Sequence, residues 1–590
     1  MAKKSGNQYI LMTEVGEKIK NSTEVWQEYP RPQLKRKKWC SLNGIWELEG
    51  KSVRVPFPPE SVLAEYGGEV QENMTYVKRF HWSQADSGKR TILHFGAVDQ
   101  IAEVYLNGTF LGRHEGGYFP FSFDITEHFV ADGDNCLEVK VTDTLDRDFP
   151  YGKQRKDRGG MWYTPTSGIW QSVWLEQVPE VYVEKLKITP DMQGFELAFI
   201  MHESTGKMAD VSVEKRICIT LHNGEQYEVT TKENKINIDL TKVILADGSA
   251  YEPRLWSVED PYLYQLQITA GEDVLGSYAA LRTISIEEVD GINRVCLNHE
   301  PIFLHGVLDQ GYFSDGIFLP AEEAEYERDV LRMKALGLNM IRKHIKIEPE
   351  CFYYYCDVYG MLVMQDMVSN GYYDYYRDTV IPTIGFTGKK NCGKKISERQ
   401  KRLFEEHMAE TIELLYNHPS IIAYTIFNEG WGQFDSDRLY TEAKAQDPTR
   451  LYDSASGWFT GKLNDFDSVH IYFGPRKPKP RKRPMFLSEF GGYSYAVKDH
   501  VFAEAVYGYG GCKNQEELFR RIYHRYEELV FPYIKDGLCG SVYTQVSDVE
   551  DEINGFYTYD RKVAKVSPEN MKKIEARIQE ELKKGINRHE

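Results

Sequence analysis

Ile421-Ile422-Ala423-Tyr424-Thr425-Ile426-Phe427-Asn428-Glu429-Gly430 is a nearly continuous apolar run that ends on a carboxylate and a glycine, and Met485-Phe486-Leu487-Ser488-Glu489-Phe490-Gly491 repeats the pattern. A short run of this kind, apolar on both faces, reads as a strand of a parallel sheet covered by helices on both sides. In a closed parallel barrel the loops at the C-terminal ends of the strands build the active site, so both carboxylates face one pocket. Two facing carboxylates are the minimum equipment for cleaving a glycosidic bond.

Working outward from these two strands, the sequence after about residue 288 alternates apolar runs with helical stretches, the signature of βα units. The runs Pro301–Gly306, Asn339–Arg342, Met361–Gln365, Ile421–Phe427, Leu451–Ser454, Ser468–Ile471, Met485–Ser488 and Gly540–Thr544 supply the strands of a (β/α)8 TIM barrel over 288–590. A helix over Glu322–Leu336 is stopped by Gly337, and a last one over Asn570–Lys583 puts Met571, Ile574, Ile578 and Leu582 on one face. Upstream the period changes. From about residue 40 to 180 short alternating segments with turn signals, including Asn107-Gly108, read as a β-sandwich, so that the first domain spans 1–180; 181–287 has the length of an immunoglobulin-like sandwich.

Composition narrows the function. A net charge of −17 argues against nucleic acid, which needs a basic footprint. Nine cysteines without paired spacing suit reduced core thiols rather than a disulfide framework or a metal site. The lysines in Met1–Asn7 lead into no apolar h-region, and no later stretch approaches a membrane span; the expectation is a cytoplasmic protein with no membrane partner. No cofactor is expected and no residue is singled out as a metal ligand; carboxylates near the barrel mouth could hold a cation or merely water.

Roles follow from position. Glu429 is expected as acid/base and Glu489 as nucleophile, with Asn428 on the sugar 2-hydroxyl and Arg342 and Tyr472 orienting Glu489. His344, Asp366 and His470 lie at strand ends in the layer that would contact sugar, and Asp309 and Trp458 on loops after the first and fifth strands. Two connections stand out. Asn370–Lys395 is long and aromatic enough to wall a site; Gly474–Pro484 carries Arg476, Lys477, Lys479, Arg481, Lys482 and Arg483 among prolines, as a solvated loop or an anion-binding rim.

The chain resembles glycoside hydrolase family 2, the β-galactosidase and β-glucuronidase family. The resemblance rests on Leu42-Asn43-Gly44-Ile45-Trp46, Gly168-Ile169-Trp170-Gln171-Ser172-Val173-Trp174, Asn339-Met340-Ile341-Arg342, Asn417-His418-Pro419, Asn428-Glu429-Gly430-Trp431 and Ser488-Glu489-Phe490-Gly491. It implies a jelly-roll sugar-binding-like domain, an immunoglobulin-like domain and the barrel, a retaining exo-β-glycosidase acting on an oligosaccharide or other glycoside, and a homo-oligomer. It implies the same roles for Glu429 and Glu489, and a first-domain loop at Trp162 that reaches the barrel mouth. Two departures bear on specificity. The Asn-x-Lys pair with which family β-glucuronidases hold the sugar carboxylate is replaced by Glu552-Ile553-Asn554, which favours a neutral sugar such as galactose; the eighth strand offers Tyr543 and Thr544 where a Trp commonly floors the sugar. A glucuronidase using the 476–483 rim, and a carbohydrate-binding protein without catalysis, are the alternatives.

Overall fold

The computed structural model describes residues 8–82, 89–203, 213–383 and 396–586. Two β-sandwiches precede a parallel barrel. In the first, a four-stranded sheet (Trp39–Ser41, Val173–Val178, Arg90–Phe95 and Phe121–Asp124, in spatial order) faces a six-stranded one. Asn107 and Gly108, at φ 51° and 81°, form the two-residue turn between Ile101–Leu106 and Thr109–Glu115, as their sequence predicts. The second sandwich pairs a three-stranded with a four-stranded sheet between Val181 and Ala279, over a core of Leu197, Ile217, Ile219, Leu266 and Ile268.

The barrel strands, in chain order, are Leu304–Asp309, Met340–Lys343, Leu362–Asp366, Ile421–Thr425, Leu451–Asp453, Asp467–Ile471, Met485–Gly491 and Leu538–Thr544. All eight are parallel, and the first pairs with both the second and the eighth. Between the fifth and sixth strands, Asn464 bridges instead, donating to Asp453 Oδ1 and accepting from Ser454 N–H. The first strand begins three residues later than its apolar run suggests. Glu300–Pro301 belongs instead to a small antiparallel sheet with Ile284–Val289 and Ile292–Leu297, because proline has no N–H to give a central strand.

The helices form as their periodicity dictates. Ala324–Ala335 ends at Gly337, whose φ of 78° lets Leu338 N–H reach back to Met333 O. Gln515–Leu529 buries Leu518, Ile522, Tyr526 and Leu529, and Pro568–Ile586 buries the four apolar residues expected of it. No helix lies between the sixth and seventh strands, where the basic 474–484 loop runs instead. The eight described cysteines are free thiols. Among the described residues no helix is long and apolar enough to cross a membrane. Residues 1–7 and 384–395, the latter the second half of the aromatic loop, lie outside the described residues.

Candidate active site

After the fourth strand the chain runs on to Glu429, held to the next loop by Glu429 N–H donating to Ser456 O and Ser456 N–H to Phe427 O. Glu429 itself sits at φ 55°, a left-handed conformation that costs a residue with a Cβ about 1–3 kcal/mol and that clusters at functional sites. Gly432, two residues beyond Gly430, is required by space: a Cβ there would meet Asn370 O at 2.6 Å. On the seventh strand the pairing register shifts between Leu487 and Phe490, around Glu489.

The two carboxylates converge. One oxygen of each, and a ring nitrogen of His470, all lie within 4.8 Å of one another. His470 Nδ1 is 2.7 Å from Glu429 Oε1, while its Nε2 is 2.9 Å from Ser456 Oγ and 3.5 Å from Glu489 Oε1. The histidine expected on a sugar hydroxyl therefore stands between the two acids. These three atoms are close enough to hold a metal ion, but the Arg342 guanidinium 3.1 Å from Glu489 would repel a cation at that spot.

Arg342 is the hub beneath the pair, with a side chain fully buried. Its Nε donates to Asp366 Oδ1 (2.9 Å), Nη1 to Glu489 Oε1 (3.1 Å) and Ser488 O (3.0 Å), and Nη2 to Asn428 Oδ1 (2.9 Å). The second Asp366 oxygen lies 2.7 Å from His344 Nδ1. Tyr472 Oη donates to Glu489 Oε2 (2.6 Å) and lies 2.9 Å from Thr544 Oγ1. Burial alone would push the Glu489 carboxyl up, but His470, the Arg342 guanidinium and the Tyr472 hydroxyl hold it below the ordinary carboxylate range. Burial pushes His344 down to about 4, so it is neutral near pH 7, and pushes Tyr472 up, so it stays a donor.

Arg342→Met should leave Glu489 and Asp366 buried without their cation. Stability is expected to fall by about 3–5 kcal/mol in urea unfolding. Because the Glu489 carboxyl would then hold its proton to higher pH, the acid limb of kcat/KM should move upward in any activity that needs it ionised. An unmoved acid limb would separate Arg342 from Glu489.

Asn428, Arg342, His344, Asp366, His470 and Tyr472 thus gather around Glu429 and Glu489. Trp458 joins them through Nε1–H donating to Glu429 O (3.2 Å), its ring 5.4 Å from His470. Trp162 comes from the first sandwich and packs edge-on against Trp431 and Tyr373, both at 5.1 Å. Two expected residues point elsewhere. Asp309 accepts from Lys343, which also binds Glu348, in a separate buried cluster. Tyr543 lies on the outer face of the eighth strand, stacked on Phe556 at 4.8 Å and edge-on to Phe490, so the inward position passes to Thr544. The period-two alternation of a strand carried that signal: if Val542 is inward, so is 544.

The basic loop leaves the C-terminal end of the sixth strand and its last residues lie at the foot of the barrel. Pro484 O accepts from Asp467 N–H at the start of the sixth strand, Arg481 and Arg483 lie 3.8 and 3.7 Å from Asp467, and Asn293 donates to Lys482 O, all at the end of the barrel away from Glu429. Arg481 and Arg483 are therefore not placed to meet a sugar carboxylate beside Glu429. Glu552 is buried with one oxygen accepting from Tyr163 and the other from Asn554 (2.9 Å).

Three family models match the chain in sequence: "Glycosyl hydrolase 2 galactose-binding domain-like" over residues 69–166, "Glycosyl hydrolases family 2" over 181–279, and "Glycosyl hydrolases family 2, TIM barrel domain" over 288–485. A β-galactosidase of Thermoanaerobacter pseudethanolicus is 26% identical over 72% of this chain and 54% of its own length. A β-glucuronidase of Bacteroides fragilis is 25% identical over 72% of this chain and 61% of its own. The chain spans about half the length of the curated relatives it matches. Among solved structures, a β-D-glucuronidase of Dictyoglomus thermophilum superposes with a TM-score of 0.69 at 18% identity, covering 93% of this chain and 98% of that one, a likeness of fold.

Proposed function

The chain belongs to glycosyl hydrolase family 2, and on that premise we propose that it is a retaining exo-β-glycosidase acting on β-galactosides. Glu489 attacks C1 of the sugar, forming a carboxylate–C1 bond as the C1–O bond to the leaving group breaks and Glu429 protonates the departing oxygen. Glu429 then takes a proton from the water that displaces Glu489, and the sugar leaves with its configuration kept. The observation that carries the reading is the spacing of the pair: carboxylate oxygens within 4.8 Å suit a retaining enzyme, whose carboxyl groups stand about 5–5.5 Å apart, better than an inverting one, whose carboxyl groups stand about 6.5–9.5 Å apart.

The sugar follows from charge. A uronate would add a third negative group near Glu552 and Glu489, which already repel one another, with Asn554 where family glucuronidases have lysine. A neutral glycone avoids this. The division into 1–180, 181–287 and 288–590 belongs to the same proposal, the first unit lending its 151–163 segment to the barrel mouth.

The test is a panel of aryl β-glycosides differing only in the sugar, together with a 2-fluoro-glycoside trap read by mass spectrometry of the intact protein. Turnover of the galactoside and covalent labelling at Glu489 are expected. Glucuronide turnover without galactoside turnover would replace the sugar assignment, and a protein that binds sugar but is never labelled would be a lectin-like relative.

A further inference from the structure

The first sandwich touches the barrel mouth through residues 151–163. Tyr151 and Gly152 N–H groups both donate to Ser369 O at 3.1 Å, and Tyr151 Oη donates to Gly371 O at 2.8 Å. Gly152, at φ 70°, lies so close over the loop after the second strand that a Cβ would meet Ile345 O at 2.8 Å. Two residues further on, Gln154 is fully buried and binds Asp99 and the Thr166 N–H. Across from it, Tyr163 N–H donates to Lys153 O at 3.0 Å while the Tyr163 hydroxyl holds Glu552. Lys153 is thus clamped between two anchors, one beside His344 and the other on the carboxylate after the eighth strand.

Its own ammonium is left over. Lys153 is half-buried, with Nζ 5.5 Å from the Trp162 ring centroid, and among the described residues no hydrogen-bond or ion-pair partner reaches it. Arg155 anchors the same indole, its guanidinium carbon 4.4 Å from the ring. An ammonium that has given up part of its water without gaining an acceptor is costly, and three N–H donors there await oxygen atoms. The Lys153 charge is felt on both sides, since it lowers the proton affinity of both His344 and Glu552.

We propose that Lys153, carried by the first sandwich, is a sugar-binding residue that donates to a ring hydroxyl oxygen of the glycone while the Glu552 carboxylate accepts from the same face. The inference deepens the glycosidase reading and rests on it. An ammonium and a carboxyl that face one pocket without pairing present it with a donor and an acceptor, which suits a hydroxyl better than a carboxylate. It also makes glycone recognition a joint property of two domains.

The test compares wild type, Lys153→Met and Lys153→Arg on an aryl β-galactoside and its 3-, 4- and 6-deoxy analogues. Loss of a charge-assisted hydrogen bond should lower kcat/KM of the methionine variant by about 10- to 100-fold on the parent sugar, with little loss on the one analogue lacking the hydroxyl that Lys153 reads. The arginine variant should recover part of the activity. Equal losses on all four sugars, or none, would overturn the proposal. A wild type inert on every glycoside would instead sink the glycosidase reading; titration with free galactose, followed by the fluorescence of Trp162 and its neighbours, then still compares wild type with Lys153→Met, and equal affinities would count against Lys153.

Discussion

Glu489→Ala should lower hydrolysis of an activated aryl β-galactoside by about 10⁴-fold or more, the scale on which covalent enzymes respond to loss of the attacking group. Among the described residues no neighbour is placed to stand in for it. Asp366 is committed to Arg342 and His344, and Glu429 would have to attack from the leaving-group side. The variant should fold, because Arg342 keeps acceptors on Asp366, Asn428 and the Ser488 carbonyl. Near-normal turnover by a folded Glu489→Ala protein would remove this residue from the reaction. The fluorosugar label should vanish with it.

Glu429→Ala should behave differently, and the difference identifies the acid/base. With a poor leaving group, such as a second sugar, the first step needs a proton, and turnover should fall by about 10²- to 10⁴-fold. With a leaving group that departs unaided, the first step survives and the glycosyl-enzyme accumulates. Azide, a nucleophile that needs no general base, should then restore release and yield a β-glycosyl azide. Failure of azide to accelerate release, or equal losses for good and poor leaving groups, would take the proton-transfer role away from Glu429.

Much of this arrangement is legible in the amino-acid order, for identifiable reasons. Apolar runs closed by Glu429-Gly430 and Glu489-Phe490-Gly491 announce buried strands and their C-terminal ends, and Arg342 and Tyr472 fall next to Glu489 because strand ends in a barrel share one layer. What is illegible is direction and partnership. Tyr543 and Thr544 are neighbours in sequence and opposite in space, and Asp309 leaves the site because Lys343, a residue of its partner strand, captures it. The basic loop reads by composition as a solvated loop or an anion rim, and composition does not say that it returns to the foot of the barrel, as the connection that replaces a helix and leads back to the next strand must. Lys153 escapes notice for a different reason: it lies in another domain, and no local pattern says which distant surface a loop will cover.

That borrowed segment has a consequence for how the molecule comes to life. The ribosome delivers residues 151–163 well before the loops they cover, so Tyr151, Trp162 and Tyr163, all buried once docked, must wait uncovered while the barrel is being made. The pocket is complete only once the last strand has closed the ring and the earlier domain lies on its rim. A nascent chain stopped short of Leu538 would carry both glutamates and still be unable to grip a sugar.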